Sequence, residues 1–349
     1  MRKPNFFLVG APKCGTTAMA QYLAVRPDIF MARKEMHTFG KDLYFGPQFY
    51  RRNLNAYLAE FQDWGDQPRA GEASVWYLFS KTAAAEIKAF NPDAQIIIML
   101  RDPVEMLHSM YYTFVWDGNE HLPTFEAALA AENQRRTGKL TTRQTYFPQG
   151  LVYHEIVKFT EQVRRYFRVF GREKVHVVIY DDFAVDVAAT YRRALDFLGV
   201  NSTRVETEFE PVNANKFVKS SALRALMSDP LVRSTLVAIR PMLPKAIFGV
   251  MQNVDARLRK INSRDGVRPA LSPELRERLN EEFAPEVAHL SELLGRDLTH
   301  WSRSTTLPVK LKLPERTPAP VTIASPSDCA EAVQNLSLPA GEMRLDAYP

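Results

Sequence analysis

The chain has 349 residues, 46% hydrophobic and 24% charged, which is the balance of an ordinary globular protein with material for one large core or two modest ones. Its 45 basic and 40 acidic side chains leave a formal charge of +5, compatible with small anionic ligands but too weak to argue for nucleic acid. The two cysteines, Cys14 and Cys329, stand far apart in unlike surroundings, which argues against a disulfide framework and for a reducing, cytoplasmic compartment; no run of about 18 apolar residues predicts a membrane span.

The basic start and apolar run at the N-terminus resemble a secretory leader, but Phe6–Val9 is too short for one. Asn5–Gly10 reads instead as a first buried strand, followed by the stretch "VGAPKCGTTA" and a helix over Thr17–Val25. A strand, a glycine loop and a helix N-terminus in succession make an anion site, because loop N–H groups converge where the helix dipole is positive. Gly10 and Gly15 have the spacing of a nucleotide-phosphate loop, yet Lys13 sits inside the loop and Thr16 occupies the place of the usual lysine. The plainer reading is a tight turn with a solvated lysine. Cys14 reads as a small residue that lets the backbone close, or as a thiol whose pKa the anion site depresses.

Gln95–Leu100 is a second apolar run of strand type. Arg101 leaves its end, where open α/β sheets bind ligands, and Asp102-Pro103 reads as N-cap and first position of a helix through Tyr112. That helix carries Ser109 two turns in. Helical spacing recurs over Thr124–Arg136, Leu151–Phe170 and Val187–Leu198, and Lys174–Tyr180 reads as a third strand. Ser220–Asn262 is helical in pattern, broken at Arg240–Lys245; Ser272-Pro273-Glu274 starts a further helix that Pro285 interrupts and Gly295 ends. The predicted fold is α/β: a P-loop-like parallel sheet flanked by helices, with an added C-terminal helical layer. One domain is expected over residues 1–301, its part from 220 mostly helical, then a proline-rich tail over 302–349.

At this point a resemblance emerges. "APKCGTTAM" resembles the 5′-phosphosulfate loop of sulfotransferases that use 3′-phosphoadenosine 5′-phosphosulfate (PAPS), and "IIIMLRDPVEMLHSMYYTF" is similar to their 3′-phosphate motif. The likeness continues through "FPQGLVYHEIVKF", "KVHVVIYDDFAVD" and "LSPELRERLNEEFAPEVAHLSELLGRDLTHW", covering roughly residues 4 to 301. It implies that Lys13, Cys14, Gly15, Thr16 and Thr17 hold the 5′ end of PAPS and that Arg101 and Ser109 hold its 3′-phosphate. It also implies a reaction without metal, in which Lys13 neutralises the oxygen from which the sulfuryl group departs.

On the acceptor side, "ARKEMHTFGKD" resembles the K-E-x-H-F-F segment of the heparan-sulfate-type branch, and Glu72 in "RAGEASVWYLFS" matches the glutamate of its E-K-x-x-x-Y-F segment. The resemblance implies Glu72 as the base, Lys34 near the transferring group, and His37 lining the acceptor pocket as reserve base. Ala73 replaces the lysine, the aromatic pair is read as Trp76-Tyr77, and Thr38 replaces the first phenylalanine while Phe39 keeps the second. The family's late K-G-R segment is not found; "VNANKFVKSS" occupies that region, with Lys216 or Lys219 in a similar part, and Tyr153 is a candidate to stack on adenine. The expected function is sulfuryl transfer to an acceptor hydroxyl on a glycan, a lipid or another small alcohol. The alternatives are a kinase or NTPase, which lacks its lysine at position 16, and a non-catalytic nucleotide-binding module. The segment 222–262 leaves peripheral membrane contact open, and oligomeric state is not legible.

Overall fold

The computed structural model describes residues 2–32, 35–46, 53–142, 145–203 and 268–303, and the backbone of 216–218 and 263–265. In chain order the elements are β1 (Phe6–Gly10), α1 (Thr16–Ala24), β2 (Ile29–Met31), α2 (Leu54–Ala59), β3 (Arg69–Ala73), α3 (Ala83–Phe90), β4 (Gln95–Leu100), α4 (Pro103–Asp117), α5 (Phe125–Ala130) and α6 (Glu132–Arg136). There follow α7 (Tyr153–Ile156), α8 (Phe159–Phe170), β5 (Val175–Ile179), α9 (Tyr180–Val185), α10 (Val187–Leu198), β6 (Lys216–Val218), β7 (Ser263–Asp265) and α11 (Pro273–Leu294).

Five strands form one parallel sheet in the order β2-β3-β1-β4-β5, and β6 pairs antiparallel with β7. Strands β1 and β4 sit at its centre, and their side chains are buried on both faces, as continuous apolar runs require. Helix α1 packs on β2 and β3, α8 on β4 and β5, and α3 and α11 pack on α8. The three expected strands are all present. Asp102 caps α4 by accepting from the N–H groups of Val104 and Glu105, with Pro103 at the first position.

The structure corrects the reading in five places. Strand β3 was not expected, because "RAGEA" lacks an apolar run; a Cβ on Gly71 would lie 2.5 Å from the Phe6 ring, so the sheet's own packing demands a small residue there. The expected helix Thr124–Arg136 is divided at Ala131 into α5 and α6, and Leu151–Phe170 into α7 and α8. Helix α4 runs on to Asp117 because its buried face continues through Phe114. Pro285 does not interrupt α11: buried Leu279 and Phe283 before it and Val287 and Leu290 after it hold both halves in one helix, which Gly295 ends in the left-handed conformation.

Beyond α11 a short turn over Thr299–Ser302 packs on α11 and reaches α9. There the Trp301 indole N–H donates to Asp181 at 2.7 Å, His300 pairs with the same carboxylate at 2.7 Å, and Arg296 with Asp182 at 2.7 Å. Residues Met1–Val309 group as one compact unit. The expected helical segment 222–262 lies outside the described residues, as does the tail beyond residue 303. Among the described residues no helix is long and apolar enough to cross a membrane.

Candidate active site

The loop from Gly10 to Gly15 joins β1 to α1 at the carboxyl end of the sheet. Gly10 (φ 151°) lies so close to the segment after β3 that a Cβ would meet the Val75 carbonyl at 2.6 Å. Gly15 (φ 87°) sits in the left-handed region at the N-cap of α1, with the Tyr180 ring 3.2 Å from where a Cβ would stand. Among the described residues no side chain caps α1. Lys13 also adopts a positive φ of 63°. Thr16 is buried in the first turn of α1, which Thr17 continues. Cys14 is fully buried, and burial pushes its thiol up to about 12 against the pull of Arg101 and Lys13. The depressed-thiol reading is thereby overturned; Cys14 is a neutral filler that closes the turn.

Arg101 emerges from β4, next to β1. Its Nη1 stands 3.5 Å from the Lys13 carbonyl, its Nη2 3.4 Å from Glu105, and its guanidinium lies 4.6 Å over the Tyr180 ring. The two cations that the sequence singled out therefore share one edge of the sheet. Ser109 is buried on α4, two turns from Arg101.

Sequence reasoning missed a third cation here, Arg268. Its Nε and Nη1 are buried without a hydrogen-bond partner among the described residues, and burial first, then the charge of Arg101, holds its pKa down. An arginine kept in this state is prepared for an anion. The signal was available in "RDGVRP", where an arginine follows Gly266 at the point where a K-G-R segment was sought too early in the chain. The Lys216 side chain and Lys219 lie outside the described residues. Arg276 of α11 pairs with Glu105, so one carboxylate is shared between Arg101 and Arg276. Tyr153 is no adenine platform: it is fully buried, its hydroxyl donating to Glu120 at 3.0 Å beside the enclosed Arg135–Glu120 pair.

The second cluster lies at the carboxyl ends of β2 and β3. The chain after β2 stays alongside β3, with the N–H of Glu35 donating to the Ala73 carbonyl at 2.8 Å. Glu35 accepts from the N–H of Val75 at 3.3 Å and faces the His37 imidazole at 3.7 Å; the His37 ring stacks on Phe45 with centroids 4.3 Å apart. Since the Val75 carbonyl abuts Gly10, this cluster borders the loop that holds Lys13. Lys34 lies outside the described residues.

Glu72, the expected base, stands differently. It is 0% exposed, and its two carboxylate oxygens accept from the hydroxyls of Ser74 (2.8 Å) and Tyr77 (3.1 Å). Burial pushes its pKa up to about 7, opposed by the hydrogen bonds from Ser74 and Tyr77 and assisted by the negative charge of Glu35. A base must reach its proton, and the carboxylate open to solvent is Glu35, with a third of its side chain exposed. Spacing also corrects the aromatic pair. The tyrosine five residues after the glutamate is Tyr77, and Leu78 takes the phenylalanine's place.

A profile of the sulfotransferase domain matches residues 3–295. The chain is 26% identical over 210 residues to heparan sulfate glucosamine 3-O-sulfotransferase 3B1 of Mus musculus, covering 59% of this chain and 48% of that protein. It is 26% identical over 248 residues to carbohydrate sulfotransferase 15 of Mus musculus, covering 56% and 44%. The chain thus spans about half the length of these relatives. A crystal structure of a sulfotransferase from Alicyclobacillus acidocaldarius superposes with a TM-score of 0.63 at 31% identity, over 87% of this chain and 100% of that one.

Proposed function

The chain belongs to the sulfotransferase domain family, and from that premise we propose that it moves the sulfuryl group of PAPS to an acceptor hydroxyl and releases 3′-phosphoadenosine 5′-phosphate. The observation that carries this reading is the meeting of Arg101 with the Lys13 loop at one sheet edge, two cations arriving from neighbouring strands. Lys13 and the first-turn N–H groups of α1, with Thr16 and Thr17, would take the 5′ end. Arg101, Arg268 and the hydroxyl of Ser109 would take the 3′-phosphate, since arginine forks and a hydroxyl suit a terminal dianion.

Preorganised positive charge at the departing oxygen supplies much of the rate in such transfers, and Lys13 would provide it without a metal. The proton of the acceptor falls to Glu35, with His37 beside it. Glu72 lies behind both, out of reach of an acceptor in this arrangement. The acceptor is a glycan, lipid or other small alcohol; the heparan sulfate and carbohydrate named for the relatives favour a sugar hydroxyl. The proposal places the reaction in the cytoplasm, on the strength of a chain with only two cysteines.

Incubation of the full chain with ³⁵S-labelled PAPS and a panel of sugar, lipid and phenolic alcohols tests the reading. Transfer of label that persists in EDTA is expected. Binding of PAPS with no transfer to any acceptor or cell extract would leave a nucleotide-binding module instead, and abolition by EDTA would favour a metal-dependent phosphotransferase.

A further inference from the structure

Glu72 is a buried carboxylate with two hydroxyls donating to it, and each hydroxyl does a second task. The Ser74 hydroxyl gives its hydrogen to Glu72, which leaves its lone pairs to accept from the N–H groups of Met36 (3.0 Å) and His37 (3.4 Å). The Tyr77 hydroxyl gives its hydrogen to the other oxygen and accepts from the N–H groups of Thr38 (2.9 Å) and Phe39 (3.4 Å). Four consecutive backbone donors of a segment that is neither helix nor strand are thus held by two hydroxyls, both oriented by one carboxylate.

That segment needs holding. Glu35 and His37 adopt φ values of 60° and 49°, in the left-handed region that residues with side chains enter at a cost. Such backbone persists where its surroundings over-determine it, and here the surroundings are the four N–H contacts. The orientation also depends on charge. An ionised carboxylate only accepts, so both hydroxyls point inward. A protonated acid or an amide presents a donor to one of them, whose hydrogen must then turn toward the N–H groups.

We propose that Glu72 is a positioning residue that acts through Ser74 and Tyr77 to hold the backbone of residues 36–39, and so sets the place of Glu35 and His37. What the segment is for rests on the sulfotransferase reading; that Glu72 holds it does not. The groups that act on Glu72 are the hydroxyls of Ser74 and Tyr77 from the turn after β3, Tyr57 from α2, and the like charge of Glu35. Tyr166 of α8 lies farther out and feels its charge. With the carboxyl pushed up to about 7, the orienting charge is present above neutrality and fades below it.

Amide hydrogen exchange on the full chain at pH 8 is the test, and it needs neither donor nor acceptor. Glu72→Gln should speed exchange at residues 36–39 by about tenfold, the scale of one lost hydrogen bond, while the amides of β1 and β4 stay as they were. Tyr77→Phe should speed Thr38 and Phe39 alone. Unchanged protection at 36–39 would overturn the proposal, and so would acceleration spread equally over β1 and β4. In assays of label transfer, Glu72→Gln should lower kcat with the KM for PAPS within about twofold, since only orientation is lost. Added to Ser74→Ala/Tyr77→Phe it should cost nothing more; the same loss in both backgrounds would mean that Glu72 touches substrate directly, and the positioning role would fall. Absence of transfer by the wild type would sink the sulfotransferase reading and leave the exchange result standing.

Discussion

The two halves of the site are built on opposite plans. At the donor edge, Lys13, Arg101 and Arg268 gather like charges, and backbone carbonyl, tyrosine ring and Glu105 keep them from dispersing. At the acceptor side two carboxylates and an imidazole are arranged, and the deeper carboxylate spends its hydrogen bonds on the protein itself. A ligand that brings its own charge can be met by cations gathered in advance at one place. A hydroxyl that must give up a proton needs a base whose position is fixed beforehand.

Four substitutions test this division. The largest effect is expected from Glu35→Gln, which should cut kcat by roughly 10²–10⁴-fold with affinity for 3′-phosphoadenosine 5′-phosphate intact, as removal of a general base does. Full turnover in that variant, measured by label transfer, would erase the assignment of the base. Lys13→Ala should cost about 10²–10³-fold in kcat, the scale of losing one donor at a developing oxyanion; a change confined to KM would make Lys13 a binding group alone. Arg268→Met should weaken the bisphosphate nucleotide by about 10–100-fold in titration calorimetry, the worth of a charge-assisted hydrogen bond, and weaken 5′-AMP far less. Equal losses for both nucleotides would deny Arg268 the 3′-phosphate.

The smallest effect concerns stability. Glu72 is raised in the folded chain from 4.5 to about 7, so the fold binds its proton more tightly than the unfolded chain does. The resulting stability is present in full below about 4.5 and is lost as pH rises through 7. Wild type should therefore lose ground to Glu72→Gln in melting temperature between pH 5 and pH 8, and a constant difference would show that this carboxyl titrates normally. The charge that orders residues 36–39 is thus one the core would rather be without, a cost at rest accepted for position.

The donor edge was the more legible because its parts are contiguous. A glycine loop directly after an apolar strand, and an arginine directly before Asp102-Pro103, each carry their geometry in a few residues. The strands β1 and β4 were legible as continuous apolar runs buried on both faces, and β5 as a shorter apolar run at the side of the sheet, partly buried. Strand β3 was not, since the Phe6 ring obliges Gly71 to stay small and a carboxylate, Glu72, occupies a buried position where an apolar residue would have marked a strand. Arg268 escaped because its meaning lies in being near Arg101 in space, 167 positions away in sequence. Glu72 and Glu35 both stand in the segments compared with the family, but which one faces solvent is a property of the packed turn and no spacing encodes it.

The Trp301 turn has a practical consequence for anyone trimming the chain. Asp181, which it grips, lies in the first turn of the helix whose Tyr180 and Phe183 wall the Gly15 turn. The Trp301 turn thus acts as a keystone for the first loop, and an expression boundary drawn at Gly295, where the long helix stops, would pull it out. A boundary after Arg303 keeps that brace in place.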